Sequence, residues 1–410
     1  MNTNEIFSLA LNLQEPWFVK DVKLDLRNEK LPGQIDIFID FKRGYKFKDK
    51  HGKETTAYDT EEKKWRHLNF FQHECYIHAR VPRLKTEGEG IHLVQVPWAR
   101  EGSGFTLMFE GLSMLMLESE MPVSKAAKLL NIYDTRLWRI LKYWVEKSFK
   151  SETCKDVVSI GIDETSTTKG HNYVTIAVDM DKRNVIYATK GKDSETIKNL
   201  KNHLKEKECN PEQIQQACID MSPSFISGIM DNFPNAKITF DKFHITKIIN
   251  EAMDTLRKFE RKEIEELKGY KYLFLKRDEK LNKEQIEAKH YFLTHYPKLG
   301  EGYRLKELFN DFWDLKDVDE AGGYLSYWCD LAEESKIAPF MKAAKTIKAH
   351  WSGIINYIKS KLTNGILEGI NSKIQLAKKR ARGYRNIDNF IIMIYFVAGK
   401  LKIDYPLYMM

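Results

Sequence analysis

The feature of the sequence that most constrains the fold is a pair of apolar strands between residues 157 and 181. The segment VVSIGID is β-branched and ends at Asp163 and Glu164, and YVTIAVD repeats the pattern after a polar turn. Carboxylates at the end of a buried strand need a cation, hydrogen bonds or open water to offset their desolvation. A strand end that simply faces solvent is the plainer interpretation, and two later segments weigh against it.

The first of these segments is another apolar strand, QQACID, which ends at Asp220 before a predicted helix with Ser222 as cap and Pro223 in its first position. The second is LTNGILEGINSKIQLAKKR, where Glu368 lies among apolar residues at helical spacing. Two strand-end carboxylates and one helical carboxylate suit divalent-metal chemistry on phosphodiesters, in which two Mg²⁺ ions lie about 4 Å apart. Spacing alone does not show that the three converge.

Between these segments the chain continues with a third strand, NVIYATK, and an acid-capped helix that begins near Ser194. The order strand, strand, strand, helix, strand is typical of an RNase H-like sheet. It would place Asp163 on the first strand and Asp220 on the fourth. A further predicted strand, KITFD, ends at Asp241, and His244 follows three residues later.

Five segments in order resemble the bacterial insertion-sequence transposases of the ISL-type group, which have an RNase H-like DDE domain, a helix-turn-helix and an N-terminal zinc-finger-like segment. They are VSIGIDETSTTKGHNYVTIAVDMD, CIDMSPSFISGI, FDKFHI, LKGYKYLFLKRDEKLN and LTNGILEGINSKIQLAKKRARGYRN, and the resemblance covers most of residues 60–400. It implies that Asp163, Asp220 and Glu368 are the catalytic residues and metal ligands. Two Mg²⁺ or Mn²⁺ ions would assist release of a 3′-OH at the element ends and its attack on target DNA.

The same resemblance, with the residue patterns, predicts an α+β multidomain protein. Its RNase H-like mixed sheet carries a large helical insertion and follows a helix-turn-helix and a small β domain. The expected division is 1–104 for the N-terminal β domain, 105–153 for the helix-turn-helix, 154–254 for the first part of the catalytic domain, 255–350 for the helical insertion and 351–410 for the C-terminal part with Glu368. In the insertion, Trp313, Trp328 and Trp351 are either core residues or platforms for an unpaired base.

Charge and cysteine usage agree with a DNA-binding protein of the bacterial cytoplasm, associated with the nucleoid. The 410 residues carry a formal net charge of +8, which suits a polyanionic partner. The five cysteines form no C-x-x-C pair, so a disulfide framework is not expected. The N-terminus lacks the features of a signal peptide, and the apolar run IIMIYFVAG is about half the length needed to span a bilayer.

Zinc is not expected in the N-terminal domain. The resembled group usually places cysteine pairs here, whereas this chain has none at 45–48 or 86–90. The possible soft ligands that remain are His51, His67, His73, His78 and Cys75. We predict that the domain holds together without the metal. The aromatic residues that could replace it are Trp65, Phe70, Phe71 and Tyr76.

Residues 105–150 have the pattern of helices, the last two of which form a predicted helix-turn-helix. Ser124 is expected to cap the first of these, residues 131–133 to make the turn, and Asp134 or Thr135 to begin the second. Arg136, Arg139 and Lys142 would lie along one side of the second helix, where a recognition helix meets bases and phosphates. The alternative is an ordinary hairpin with a solvated basic face. The resemblance favours recognition of terminal repeats.

A cluster of cations follows Glu368, where it would neutralise phosphates near the catalytic carboxylates. The predicted DNA contacts in this cluster are Lys378, Lys379, Arg380, Arg382 and Arg385. Other polar residues are expected to support the metal ligands or the DNA from outside: Glu164, Asp241, His244, Asn364 and Asn371. For His244 the alternative is a hydrogen bond to a backbone carbonyl.

The predicted function is cleavage and joining of element ends by a homodimer or larger synaptic complex on double-stranded DNA, without a membrane. A metal-dependent RNase H-like nuclease that does not join strands would share all three carboxylates. A catalytically inactive DNA-binding regulator would keep the helix-turn-helix but would not need the acidic residues. Strand-transfer assays and Mg²⁺ dependence distinguish these possibilities.

Overall fold

A computed structural model of the chain describes residues 2–26, 32–49, 51–86, 90–166, 173–191, 193–276, 278–360, 362 and 365–405. The chain forms two compact units. The first comprises Met1–Glu146 with Lys402–Met410, and the second comprises Lys147–Leu401.

The first unit opens with a short helix, continues with β-structure and ends with helices, and the last five residues of α4 are counted in the second unit. Its elements are α1 (Thr3–Ala10), β1 (Trp17–Asp25), β2 (Gln34–Phe41), β3 (Lys46–Lys48), β4 (Glu54–Thr56), β5 (Asp59–Phe70), β6 (His73–Thr86), β7 (Gly90–Leu93), α2 (Leu107–Glu118), α3 (Val123–Leu129) and α4 (Asp134–Ser151). The main sheet has the order β1-β2-β6-β5, with β7 paired to β6. Strands β2 and β6 are parallel, and the other pairs of this sheet are antiparallel.

Aliphatic and aromatic side chains together form the core of this sheet. Trp17 and Trp65 each pack edge-to-face on Trp98, with ring centroids 5.0 and 5.7 Å apart, and Phe47 is buried beside them. Of the four aromatic residues predicted for this role, Trp65 belongs to the core and Tyr76 is half-buried. Phe70 and Phe71 lie at the β5–β6 turn, outside this core. Phe70 packs on Phe7, with ring centroids 5.1 Å apart, whereas Phe71 has φ 52° and is 83% exposed.

The predicted hairpin of helices corresponds to α3 and α4, with a turn in which Asn131 adopts φ 53°. The N-cap of α3 is Pro122 and not Ser124, because the amides of Lys125 and Ala126 both bond the Pro122 carbonyl at 2.9 Å. Arg136, Arg139 and Lys142 are exposed on α4, while Leu137, Ile140 and Leu141 between them are buried.

The second unit is a mixed sheet followed by many helices. Its elements are β8 (Ser159–Ser166), β9 (Tyr173–Asp179), β10 (Asn184–Lys190), α5 (Ser194–Glu206), β11 (Gln216–Ile219), α6 (Pro223–Asn232), β12 (Lys237–Phe240), α7 (Lys242–Glu260), α8 (Lys283–His295), α9 (Pro297–Asp311), α10 (Val318–Glu334), α11 (Ala338–Ala349), α12 (Trp351–Ser360), α13 (Gly365–Arg380) and α14 (Ile387–Ala398). The sheet order is β10-β9-β8-β11-β12. Strands β8, β9 and β10 are antiparallel neighbours, whereas β8, β11 and β12 are parallel.

One hydrophobic core continues from this sheet into the helices that follow α7. Trp328 is fully buried, and its indole nitrogen bonds the Leu305 carbonyl at 2.7 Å. Trp313 is also buried, and Trp351 is partly buried against the same core. These three tryptophans therefore pack in or against the core, which was the first of the two alternatives predicted for them. No helix among the described residues is long and apolar enough to cross a bilayer.

Candidate active site at the carboxyl edge of the central sheet

Three aspartates meet at one edge of the second unit's sheet. The parallel register aligns Cys218 of β11 with Gly161 of β8 and with Thr239 of β12. Two residues further along each strand, the same register aligns Asp163, Asp220 and Asp241. Because side chains alternate with a period of two, all three belong to one face of the sheet.

The structure thus brings Asp163 and Asp220 side by side, as the strand-end argument expected, and adds Asp241 to the row. Sequence reasoning assigned Asp241 only a supporting role. A signal was nevertheless present, because each of the three parallel strands contains or precedes an apolar residue followed by aspartate: GID, CID and TFD. Strands β11 and β12 stop just before this aspartate, whereas β8 continues past Asp163 to Ser166. The close spacing of like charges makes this edge a site of negative potential.

Asp163 is half-buried, and both of its carboxylate oxygens accept hydrogen bonds. Oδ1 accepts the backbone N–H of Glu164 at 2.7 Å, and Oδ2 accepts Nδ2 of Asn371 at 2.6 Å. Burial raises the pKa of Asp163, and the charges of Asp220 and Asp241 raise it further, against the lowering effects of the Glu164 amide and of His244.

Asp241 connects this row of aspartates to a histidine. One carboxylate oxygen accepts the N–H of Phe243 at 3.0 Å and caps α7, and the other lies 2.9 Å from Nδ1 of His244. The hydrogen bond to Asp241 raises the pKa of His244, as do the charges of Asp241, Asp220 and Asp163. The alternative of a backbone-carbonyl partner for this histidine was wrong. The three carboxylates around His244 therefore favour its protonated form.

Helix α13 lies against β8 through residues at helical spacing. Leu367 packs where a Cβ on Gly161 would lie 3.0 Å from both of its methyl groups. Asn371 then bonds Asp163, Gln375 Nε2 bonds Thr165 Oγ1 at 2.7 Å, and Lys378 Nζ bonds the Ser166 carbonyl at 2.6 Å. We call these three polar contacts, of Asn371, Gln375 and Lys378, the α13–β8 ladder.

Glu368 lies in the first turn of α13 and is exposed. Among the described residues, no group of three or more histidine, cysteine, aspartate and glutamate side chains is placed so that it could hold a metal ion. Nevertheless, carboxylate and amide oxygens are the hard donors that Mg²⁺ prefers. In addition, Oδ1 of Asn371 is buried beside Asp163 without a hydrogen-bond partner. The donor chemistry of this edge therefore fits a hard divalent cation.

Most of the remaining predicted residues lie on α13, just beyond its end, or on α4. Lys379, Arg380, Arg382 and Arg385 are exposed at and beyond the end of α13, whereas Lys378 is half-buried in the ladder. Glu164 is half-buried on β8, and Asn364 lies outside the described residues.

The two ends of the cationic row on α4 already have partners. Arg136 lies 4.2 Å above the Phe105 ring, and Lys142 lies 3.7 Å from Glu146. Both side chains remain exposed to solvent. These contacts restrain the cations on the outer side of the helix, where a polyanion can reach them.

The structure shows the surroundings of three possible soft metal ligands in the first unit, Cys75, His67 and His78. Cys75 is fully buried, and burial raises the pKa of its thiol to about 12, so the thiol is protonated at neutral pH. Burial lowers the pKa of His67 to about 4, with a further contribution from Arg66. His78 Nε2 lies 2.5 Å from an Asp36 oxygen.

Comparison with known proteins is consistent with this geometry. Residues 160–394 match the family model for the DDE domain of ISL3 elements, described as a transposase, and residues 94–145 match the helix-turn-helix domain of transposase family ISL3. The transposase for insertion sequence element IS1557 of two Mycobacterium tuberculosis strains is 25% identical over 357 residues, covering 79% of each chain. The transposase for insertion sequence element IS1001 of Bordetella parapertussis is 25% identical over 350 residues, covering 82% of this chain and 85% of its own.

Proposed function

Because the chain belongs to the ISL3 family of transposases, we propose that it cuts the ends of its insertion sequence and joins them to target DNA at the sheet edge that holds Asp163 and Asp220. The observation that carries the proposal is the register of the parallel strands, which aligns these two carboxylates. A single strand-end carboxylate has many structural explanations, whereas an aligned row of them is destabilising without a cation.

The architecture supports an RNase H-like assignment for this domain. Three antiparallel strands followed by two parallel ones, in the order β10-β9-β8-β11-β12, give the arrangement expected for that fold. We retain the proposed division at residues 1–104, 105–153, 154–254, 255–350 and 351–410. The second segment overlaps the match at 94–145, and the last three segments together contain the match at 160–394.

Asp163, Asp220 and Glu368 are the residues that would hold the divalent cations, two Mg²⁺ or Mn²⁺ ions, in the active protein. Ions bound there would activate the attacking oxygen and stabilise the leaving oxygen. Glu368 precedes Asn371 by three residues, which makes the two side chains neighbours on the helix surface. Asn371 in turn bonds Asp163.

Residues around the carboxylates would contact the DNA and position the groups of the site. His244 is held by Asp241 next to the negative row, and Lys379 and Arg380 on α13 offer charges to the phosphates of the scissile strand. On α4, Arg136, Arg139 and Lys142 would contact the terminal repeat. Double-stranded DNA is the partner, and the joining of two ends requires a homodimer or a larger complex.

The test is cleavage and joining of a duplex that carries the terminal repeat flanking the gene, with Mg²⁺ and with Ca²⁺. We expect nicking and strand transfer with Mg²⁺, and loss of both in Asp163→Ala, Asp220→Ala and Glu368→Ala, while binding to the duplex survives. Wild-type protein that binds but never cuts would overturn the enzymatic proposal. Cutting without joining would identify a nuclease, and persistent cutting by Glu368→Ala would exclude Glu368 as the third ligand.

A further inference from the structure

The contact between Asn371 and Asp163 belongs to a regular arrangement. Four residues of an α-helix rise about 6.0 Å, and two residues of a strand span about 6.6 Å, so the two elements stay in step. Accordingly Leu367 is level with Gly161, Asn371 with Asp163 and Gln375 with Thr165. The backbone therefore fixes Asn371 opposite Asp163, and this position does not depend on a flexible loop.

The amide of Asn371 has one satisfied end and one unsatisfied end. Nδ2 donates to Asp163 at 2.6 Å, but Oδ1 is buried and has no hydrogen-bond partner. A buried carbonyl oxygen without a partner is destabilising and rare in folded proteins. Here it lies beside a carboxylate that we assign to a cation site.

Rotation of the amide does not relieve this deficit. A carboxylate only accepts hydrogen bonds, so the amide must present its N–H to Asp163 Oδ2, and Oδ1 must point elsewhere. The partner that best suits this buried carbonyl oxygen, next to an aspartate, is a cation or a water molecule bound to a cation. Asparagine carbonyl oxygens are hard ligands.

We propose that Asn371 is a fourth protein group of the divalent-cation site: its Nδ2 orients Asp163, and its Oδ1 faces the cation or a water in the cation's coordination shell. The proposal rests on the proposed function, since it presupposes that Asp163 binds a cation. It adds a role for this chain's amide that the three carboxylates do not supply.

The ladder offers a matched control for the test. Gln375 makes the same kind of hydrogen bond one turn further along α13, to Thr165 and not to an aspartate. Replacement of Gln375 by alanine removes a contact between α13 and β8 without changing any contact of Asp163. A general loosening of the helix would therefore appear in both variants, whereas a role at the cation site would appear only at Asn371.

The experiment measures Mn²⁺ binding to the full-length protein by electron paramagnetic resonance of the free ion. We expect Asp163→Ala to abolish the specific site and Gln375→Ala to change its affinity by less than about twofold. Asn371→Ala should weaken it by about 10- to 100-fold, the range for lost partners of metal ligands. Asn371→Leu, which has nearly the shape of asparagine, replaces the alanine variant if circular dichroism shows that alanine disrupts folding.

A further variant separates the two ends of the amide. Asn371→Asp keeps an oxygen at the Oδ1 position but cannot donate to Asp163, so we expect Mn²⁺ affinity at pH 8 at least equal to wild type. Because the two facing carboxylates repel without the ion, Mn²⁺ should also raise the melting temperature of this variant more than that of wild type.

Wild-type affinity in Asn371→Ala and Asn371→Leu would overturn this inference and leave the proposed function intact. Weak binding in Asn371→Asp, equal to that of the alanine variant, would overturn the assignment of Oδ1 to the cation, because an oxygen at that position would then have no effect. Specific Mn²⁺ binding that survives Asp163→Ala would overturn the proposed cation site itself.

Discussion

Glu110 in the first unit and Asp163 in the second are both carboxylates removed from bulk water, and their surroundings are opposite. Glu110 on α2 is fully buried, and three donors surround it. Arg100 Nε and Trp144 Nε1 bond its Oε2 at 2.9 and 2.8 Å, and Ser103 Oγ bonds Oε1 at 2.6 Å. The buried charge is therefore compensated by a cation and by two further hydrogen bonds.

Asp163 has the reverse arrangement. Two more aspartates share its edge of the sheet, its pKa is raised by burial, and the amide that bonds it leaves its own carbonyl unpartnered. A carboxylate with a complete set of protein partners holds its part of the fold together. One with a deficit of positive charge retains the capacity to bind a cation. The comparison predicts that stability and activity depend on different acids.

The largest expected effect is on activity, from Asp163→Asn. Loss of one preorganised electrostatic group lowers rates by about 100- to 1000-fold, and we expect at least that decrease in end cleavage. The free energy of unfolding without divalent cations should stay equal or rise, because the neutral amide removes like-charge repulsion. Cleavage assays and urea denaturation measure the two effects. A marked loss of stability would show that Asp163 holds the fold as Glu110 does.

Glu110→Gln should produce the complementary result. Removal of one partner from a buried ion pair destabilises proteins by about 3–5 kcal/mol, because the remaining charge is left uncompensated, and Arg100 would be left in this state. Urea denaturation gives the change in unfolding free energy. The control is Glu101→Gln, an exposed position in the same segment, for which we expect a change within about 0.5 kcal/mol. Equal effects at the two positions would contradict the prediction.

The pH dependence of stability should carry the signature of His67 in the first unit. Its folded pKa of about 4 lies below the ordinary value of 6.5, so the unfolded chain binds more protons between these values. Stability therefore falls as the pH drops from 6.5 towards 4, by about 3 kcal/mol at 1.36 kcal/mol per pKa unit.

His67→Gln should remove this slope from the unfolding free energy, and His51→Gln, at an exposed position, should leave it unchanged. An unchanged slope in His67→Gln would show that other groups govern the acid sensitivity of this unit.

His244 should give a smaller effect of opposite sign. Its folded pKa is raised, chiefly by the hydrogen bond to Asp241, so its stabilising contribution is complete below pH 6.5 and is lost as the pH rises through the folded value. The unfolding free energy of wild type minus that of His244→Gln, without divalent cations, should therefore decrease from pH 6 to pH 9. An increase over this range would contradict the charge assignment of the pair.

The sequence was sufficient to predict the strands that lead to Asp163 and Asp220 and the helix that carries Glu368, because apolar periodicity and caps are local properties. The prediction that the first strand ends at Asp163 and Glu164 was wrong, because β8 stays paired with β9 as far as Ser166. It did not place Asp241 in the row, since register between parallel strands is set by the packing of the whole sheet. Nor did it indicate that the Asn371 side chain bonds Asp163. That contact depends on how Leu367 packs against the space left by Gly161, two residues far apart in sequence.

The α13–β8 ladder also determines where this chain can change in length. One residue inserted into α13 between Asn371 and Lys378 would rotate every later side chain by about 100° and remove the ladder's remaining contacts. Among the described residues of α8 to α11, no side chain makes a polar contact of the ladder's kind with the sheet, so a change of length between these helices leaves the ladder in register. Variation in size among chains of this architecture should therefore concentrate in residues 261–350, and deletions should be absent from α13.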